Sequence, residues 1–193
     1  LGLACLWIMF GRGPLNATAR NVLAVVLVLV LLSPLLVGPE LTSITGDRVV
    51  RWLPLGPITL HTGMLAAPAL CVLAAQDRKF AAPILLAALL ATLFQPDAGT
   101  GFALTFAAVG LHHVTQDWKV GAVAVLGFFA SLMMAVHGEI PPQPFVERVL
   151  MDAAGHSIAL SVALALSLAA AFALILFAIP FERATRFALA GLF

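Results

Sequence analysis

Charge is scarce in this chain. Asp, Glu, Lys and Arg together make up 10% of its 193 residues, against about 25% in an ordinary soluble domain. With 62% hydrophobic residues and a mean hydropathy of +1.09, too few polar side chains remain to cover a water-facing surface. The formal net charge is only +1 and no long basic or acidic run occurs, so neither nucleic acid nor a strongly charged soluble partner is indicated. Cysteine is equally sparse. Cys5 and Cys71 both fall in apolar stretches and form no C-x-x-C pair, so they read as packing residues rather than a disulfide framework or thiolate metal site. No linker, low-complexity tail or fixed-period repeat interrupts the pattern, and residues 1–193 read as one integral membrane domain.

What the chain does have is long apolar blocks. Uncharged stretches run from Asn21 to Val37, Ile58 to Gln76, Phe80 to Pro96, Ala98 to Gln116, Val120 to Gly138 and Ala153 to Phe181, each near the length that crosses a bilayer. Leu1 to Phe10 is apolar but too short to cross, and reads as the end of a first span that begins before the sequence given. A signal peptide is the alternative, although no basic segment precedes the run. The expected fold is all-α: a polytopic transmembrane helix bundle of about six full spans plus a partial N-terminal one.

Phe80 to Gln116 would exceed about 50 Å as a single helix, against a hydrocarbon core of about 30 Å, so it is expected to cross twice. The break is written in Gln95-Pro96-Asp97-Ala98-Gly99-Thr100, where Pro96 stops one helix and Asp97 caps the next. Lys and Arg then give an orientation, since cytoplasmic loops are enriched in them. Arg12, Arg20, Arg78, Lys79, Lys119, Arg183 and Arg186 fall on one side, and Arg48, Arg51 and Arg148 on the other. The richer side is expected in the cytoplasm, together with the C-terminus, and its side chains are expected to snorkel to headgroups. Trp52 and Trp118 then sit at opposite interfaces.

Two motifs carry a resemblance. Gly46-Asp47-Arg48-Val49-Val50-Arg51-Trp52-Leu53-Pro54-Leu55-Gly56 precedes one span, and Gln95-Pro96-Asp97-Ala98-Gly99-Thr100 closes the next. Over roughly residues 46–137 this resembles the SEDS family of bacterial membrane proteins, to which FtsW, RodA and SpoVE belong. There a G-x-R-W-x-x-L-G-like loop precedes a helix pair ending in Q-P-D-x-G-T. Both motifs lie on the outer side in that family, as the charge count places them here. The resemblance covers the first half of the family's fold and implies a place in peptidoglycan synthesis in the bacterial cytoplasmic membrane. The family's H-T-D-F-like outer segment, which holds its proposed catalytic aspartate, has no counterpart here: the loop from His137 to His156 offers Glu139, Glu147, Arg148 and Asp152 instead. The family's Q-P-S-E-x-x-K segment is replaced by Leu60-His61-Thr62-Gly63-Met64-Leu65-Ala66. The expected role is therefore binding of a polyprenyl-pyrophosphate-linked saccharide or of another membrane protein, with glycosyl transfer left open. Arg48, Arg51, Trp52, Asp97 and Thr100 are the candidate binding residues. Asp97 alone reads as a helix cap, while Arg48 and Arg51 are placed to hold a phosphate or Asp97 itself.

A second constellation needs no family. His61, His137 and His156 fall near the outer ends of spans, at the depth of Asp97 and Glu139, and could converge on zinc, another transition metal or haem. That would make the chain a small membrane subunit of a redox or transport complex. No local H-x-x-x-H pair supports it, and interfacial hydrogen bonding is the plainer role for these histidines. His112 and His113, at the other end of their helix, suit its carbonyl terminus. The first reading expects no cofactor beyond membrane lipid; the second expects haem or a metal. An accessory scaffold is the third reading, suited by small residues such as Gly63, Ala66, Ala67 and Ala69.

Overall fold

A computed structural model describes residues 16–56, 58–138, 149–177 and 181–192. The expectations for Leu1 to Phe10, Arg12, Glu139, Glu147 and Arg148 lie outside them. The described chain is mostly helical. In order it runs α1 (Ala17–Leu32), α2 (Pro34–Val37), β1 (Leu41–Thr42), β2 (Arg48–Val49), β3 (Trp52–Leu55), β4 (Ile58–His61), α3 (Thr62–Gln76), α4 (Ala81–Phe94), α5 (Ala98–Thr115), α6 (Trp118–His137), α7 (Val149–His156), α8 (Ile158–Phe177) and α9 (Arg183–Ala190).

Three helices are long and apolar enough to cross a membrane by length and composition: Ala17–Val37, Trp118–His137 and Ile158–Phe177. This corrects the expectation of six full spans. Helices α3 and α4 are apolar but hold only 15 and 14 residues, roughly 22 Å and 21 Å of rise, short of a core of about 30 Å. The reason lies in residues that a hydropathy window averages over. Ile58–His61 goes into a strand, so that stretch becomes helical only at Thr62. Gln95, Pro96 and Asp97 stand between α4 and α5, and α5 spends part of its length on Gly99, Thr100, Gly101, His112 and His113.

The expectation of a purely α fold is corrected too, by two small antiparallel hairpins. Leu41 pairs with Val49 and Thr42 with Arg48, closed by a turn in which Gly46 takes a positive φ of 89°. Trp52 pairs with His61, Leu53 with Leu60, Pro54 with Thr59 and Leu55 with Ile58, and Gly56 at φ 63° turns the chain. Both hairpins lie between α2 and α3, and the second delivers the chain directly to the first turn of α3.

The core is built from α1, α3, α4, α5, α6 and α9. Leu31, Leu70, Leu85, Leu104, Leu111 and Val120 are almost fully buried, with alanines filling most positions between them. Small side chains let the helix backbones approach closely. Outward-facing large apolar residues such as Val25, Leu29, Phe129, Met133, Leu166 and Phe177 remain exposed, a surface compatible with lipid. Helix α8 buries none of its side chains among the described residues.

Helix ends explain the alternating direction of the bundle. Asn16 accepts the Ala19 N–H at 2.7 Å, Asp97 caps α5 and Asp117 caps α6. Pro34 ends α1, because it has no N–H to continue the ladder; Ser33 Oγ bonds the Val30 carbonyl at 2.7 Å instead. The neighbouring Leu31 carbonyl is met by the Gln95 side-chain amide, just after α4, and by Thr62 Oγ1 at the start of α3. Such cross-helix bonds supply what water would elsewhere. At the opposite end Arg20 pairs with Asp77 at 2.9 Å, and Gln116, in left-handed conformation at φ 55°, closes α5.

Candidate functional site

Asp97 occupies the place that its sequence context suggested, at the N-cap of α5, where its Oδ1 accepts the Thr100 N–H at 3.3 Å. The cap is also deeply buried, with the side chain only 2% exposed. A buried carboxylate demands compensating partners, and two residues face it. Arg51 Nη1 lies 3.8 Å from Asp97 Oδ1, and His61 Nε2 lies 3.5 Å from Oδ2. Both contacts are long. Asp97 Oδ2 makes no hydrogen bond, so the carboxylate is held by charge more than by close bonding.

Local structure explains why these groups meet. The β3–β4 register sets Trp52 opposite His61, and the two rings pack edge to face at 4.9 Å between centroids. His61 ends β4 and caps α3, its Nδ1 accepting the Met64 N–H at 3.3 Å. With Nδ1 used as an acceptor, the neutral ring carries its proton on Nε2, the atom facing Asp97. Arg51 immediately precedes the hairpin, and its carbonyl accepts the Thr62 N–H at 3.4 Å. Gly63 then brings α3 against α5, since a Cβ there would overlap the Thr100 side chain.

Below this polar cluster opens a groove of about 500 Å³. Its head is formed by Arg51, Trp52, His61, Asp97 and Thr100, its walls by Met64, Ala67, Pro68 and Ala103, and its floor by Ile175, Leu189 and Leu192. Pro68 lies within α3 and offers no N–H to the Met64 carbonyl. The walls are otherwise apolar. The floor comes from α8 and from the C-terminal segment, an arrangement that hydropathy does not reveal. Helix α9 packs on α5 and α3, with two glycines at its contact with α5: Gly110 faces the Phe187 carbonyl and Gly191 faces the Phe106 backbone. Arg183 lies 5.4 Å over the Phe187 ring, and Arg186 donates to the Leu176 carbonyl at 3.2 Å.

Of the candidate residues, the structure therefore unites Arg51, Trp52, Asp97 and Thr100. Arg48 stands apart, paired with Glu40 at 2.6 Å on the exposed side of the first hairpin. The three histidines are not united. His61 joins Asp97, His137 Nδ1 meets Asp47 Oδ2 at 3.2 Å, and His156 Nδ1 turns to the Asp152 carbonyl of its own helix at 3.0 Å. Among the described residues no three His, Cys, Asp or Glu side chains gather in a metal-binding group. His61 also has both nitrogens engaged, one by the α3 cap and one facing Asp97. Sequence reasoning set His61 at the depth of Asp97, but as a metal or haem ligand and not as a partner of the carboxylate. The available signal was its position at the start of a helix whose neighbour begins at Asp97.

A second polar cluster lies at the same end of the bundle. Thr45 Oγ1 donates to Asp47 Oδ2 at 2.7 Å, and Ser43 Oγ accepts the Asp47 N–H at 3.0 Å. The Thr45 hydroxyl and then His137 hold the Asp47 carboxyl below its ordinary pKa. This cluster ties the first hairpin to the end of α6.

No protein-family model, curated protein or solved structure matches this chain.

Proposed function

We propose that the chain is a SEDS-like protein of the bacterial cytoplasmic membrane that binds a polyprenyl-pyrophosphate-linked saccharide, or a lipid of the same head chemistry, in the groove between α3 and α5. The observation that carries this reading is the joining of a charged head to an apolar channel: Arg51, His61 and Asp97 stand over Met64, Ala67, Pro68 and Ala103. An amphiphile with an anionic head and hydrocarbon tail has the same division. Arg51 supplies charge-assisted donors for phosphate oxygens. Trp52 offers an aromatic face beside them, and the groove walls replace lipid around the first part of the tail. On this reading the polar end faces outward, the C-terminus lies on the cytoplasmic side, and the shorter helices α3, α4 and α5 complete the bundle between the longer ones. The role is one of binding in cell-envelope synthesis, with other membrane proteins as partners.

The test is native mass spectrometry of the detergent-purified protein. A co-purifying polyprenyl-pyrophosphate lipid, reduced about tenfold to a hundredfold by Arg51→Gln, is the expected result, since a bond to a charged group contributes about 1.5–3 kcal/mol. Arg48→Ala serves as the control, because Arg48 pairs with Glu40 away from the groove. Equal retention by both variants removes Arg51 from the site.

A further inference from the structure

We propose that a second groove, between α1 and α4, seats one anionic phospholipid from the leaflet at the Arg20 end of the bundle. The site is separate from the groove beneath Asp97 and requires only that the chain lies in a membrane. Its volume is about 350 Å³. Val25, Val28 and Leu29 of α1 and Pro83, Ile84 and Ala87 of α4 form its sides, with Asn21 and Phe80 at the mouth. Asn21 apart, every lining residue is apolar. Two polar ties fix the ends of α1: Arg20 to Asp77 at one, and the Leu31 carbonyl to the Gln95 amide at the other. Val25 and Leu29 lie between them and are each 60% exposed.

Length selects the occupant. From Asn21 to Leu29 α1 rises about 12 Å, and from Phe80 to Ala87 α4 rises about 10 Å. One leaflet of a hydrocarbon core of about 30 Å contributes about 15 Å. The groove thus starts at a charged end of the bundle and stops near the bilayer midplane, the reach of one acyl chain. A partner's transmembrane helix would need a face along the whole height, and past Leu29 the groove is closed, with Leu31 fully buried.

The mouth supplies the head chemistry. Arg20, Arg78 and Lys79 stand there against a single carboxylate, Asp77. Both oxygens of Asp77 are engaged within the protein, Oδ2 by Arg20 at 2.9 Å and Oδ1 by the Lys79 N–H at 3.1 Å. The Lys79 ammonium lies 5.5 Å over the ring of Phe80, which lines the groove. Arg78 and Lys79 are exposed, and among the described residues neither side chain pairs with a carboxylate. Unmatched cations over an apolar entrance suit a phosphodiester whose chain enters below it. Asn21 adds an amide donor. A zwitterionic lipid would bring its own ammonium group beside the two cations already there.

The experiment is a lipid titration of the full chain in detergent by native mass spectrometry, with phosphatidylglycerol and phosphatidylcholine of identical acyl chains as probes. Wild type should bind one phosphatidylglycerol in preference to phosphatidylcholine. Lys79→Gln and Arg78→Gln should each weaken phosphatidylglycerol about fivefold, the equivalent of about 1 kcal/mol per basic residue near a membrane surface, and leave phosphatidylcholine unchanged. Ala87→Leu fills the groove without altering charge and should weaken both lipids. Lys119→Gln is the control, a cation in the first turn of α6 that does not line the groove. Lys79, Arg78 and Lys119 are all exposed, so these three variants fold even if Ala87→Leu does not. Equal wild-type affinity for the two lipids, or as large a loss with Lys119→Gln as with Lys79→Gln, overturns the proposal in favour of diffuse surface charge. Phosphatidylglycerol binding that withstands Ala87→Leu removes the groove as its seat. Binding lost with Arg51→Gln but kept with Lys79→Gln places the lipid beneath Asp97, which overturns this site and supports the other.

Discussion

Gly63 of α3 and Thr100 of α5 are in direct register across the head of the groove, with no room for a methyl group between them. A Cβ on residue 63 would overlap Thr100 Oγ1 and stand 2.9 Å from both Thr100 Cβ and Cγ2. Rotating the hydroxyl away cannot relieve all three contacts. Gly63→Ala is therefore expected to push the two helices apart and to destabilise the bundle by about 1–3 kcal/mol. Because Thr100 also donates its N–H to Asp97, lipid retention should fall with it. A thermal unfolding series in detergent, with bound lipid quantified on the same samples, checks both effects. An unchanged melting temperature would show that the helices are not in contact there.

The Asp47 tether to His137 should respond to acid in one direction. Its carboxyl titrates below the ordinary value in the folded chain, owing first to Thr45 and then to His137. The contribution is thus fully present above the unfolded pKa of about 4 and is lost as pH falls through the lower folded value. Hydrogen exchange at the Ser43 amide, which bonds the Asp47 carbonyl at 2.8 Å, should be unaffected by Asp47 from neutrality down to about pH 4 and become faster below it. Asp47→Asn should speed exchange at neutral pH as well. Equal protection in that variant would locate the tether elsewhere.

The proposed orientation has a direct readout. Ile44 in the first hairpin is exposed, as is Gln116 at the other end of α5. In a Cys5→Ala, Cys71→Ala background, a membrane-impermeant thiol reagent applied to intact cells should label Ile44→Cys and spare Gln116→Cys. The reverse pattern would invert the bundle and put the groove head in the cytoplasm.

Much of this was legible in the sequence, for physical reasons that differ by element. Asp97 after Pro96 marked both a stop and a cap, because proline lacks the N–H that α4 would need and a carboxylate satisfies the first amides of α5. The meeting of Arg51 with Asp97 was one of two roles open to that arginine, the other being a phosphate, because an arginine on the outer side needs an anion to hold. The hairpin carrying Trp52 and His61 was less visible, since its apolar strands add to the hydropathy of the following helix. Gly56-Pro57, flanked by Trp52, Ile58 and Thr59, was the available turn signal. The length of α3 was misread for the same reason. Helix α9 and its docking on Gly110 depend on the backbone approach of distant segments, which no local pattern records.

The floor of the groove, made by Ile175, Leu189 and Leu192, has a consequence for what the site can measure. On the proposed reading, an isoprenoid tail of many units would outgrow about 500 Å³ and would continue into the bilayer past those three side chains. The protein would then read the head and the first few carbons, and be blind to chain length. Tails of different length would compete on equal terms, and selection among lipids would fall entirely to the polar end.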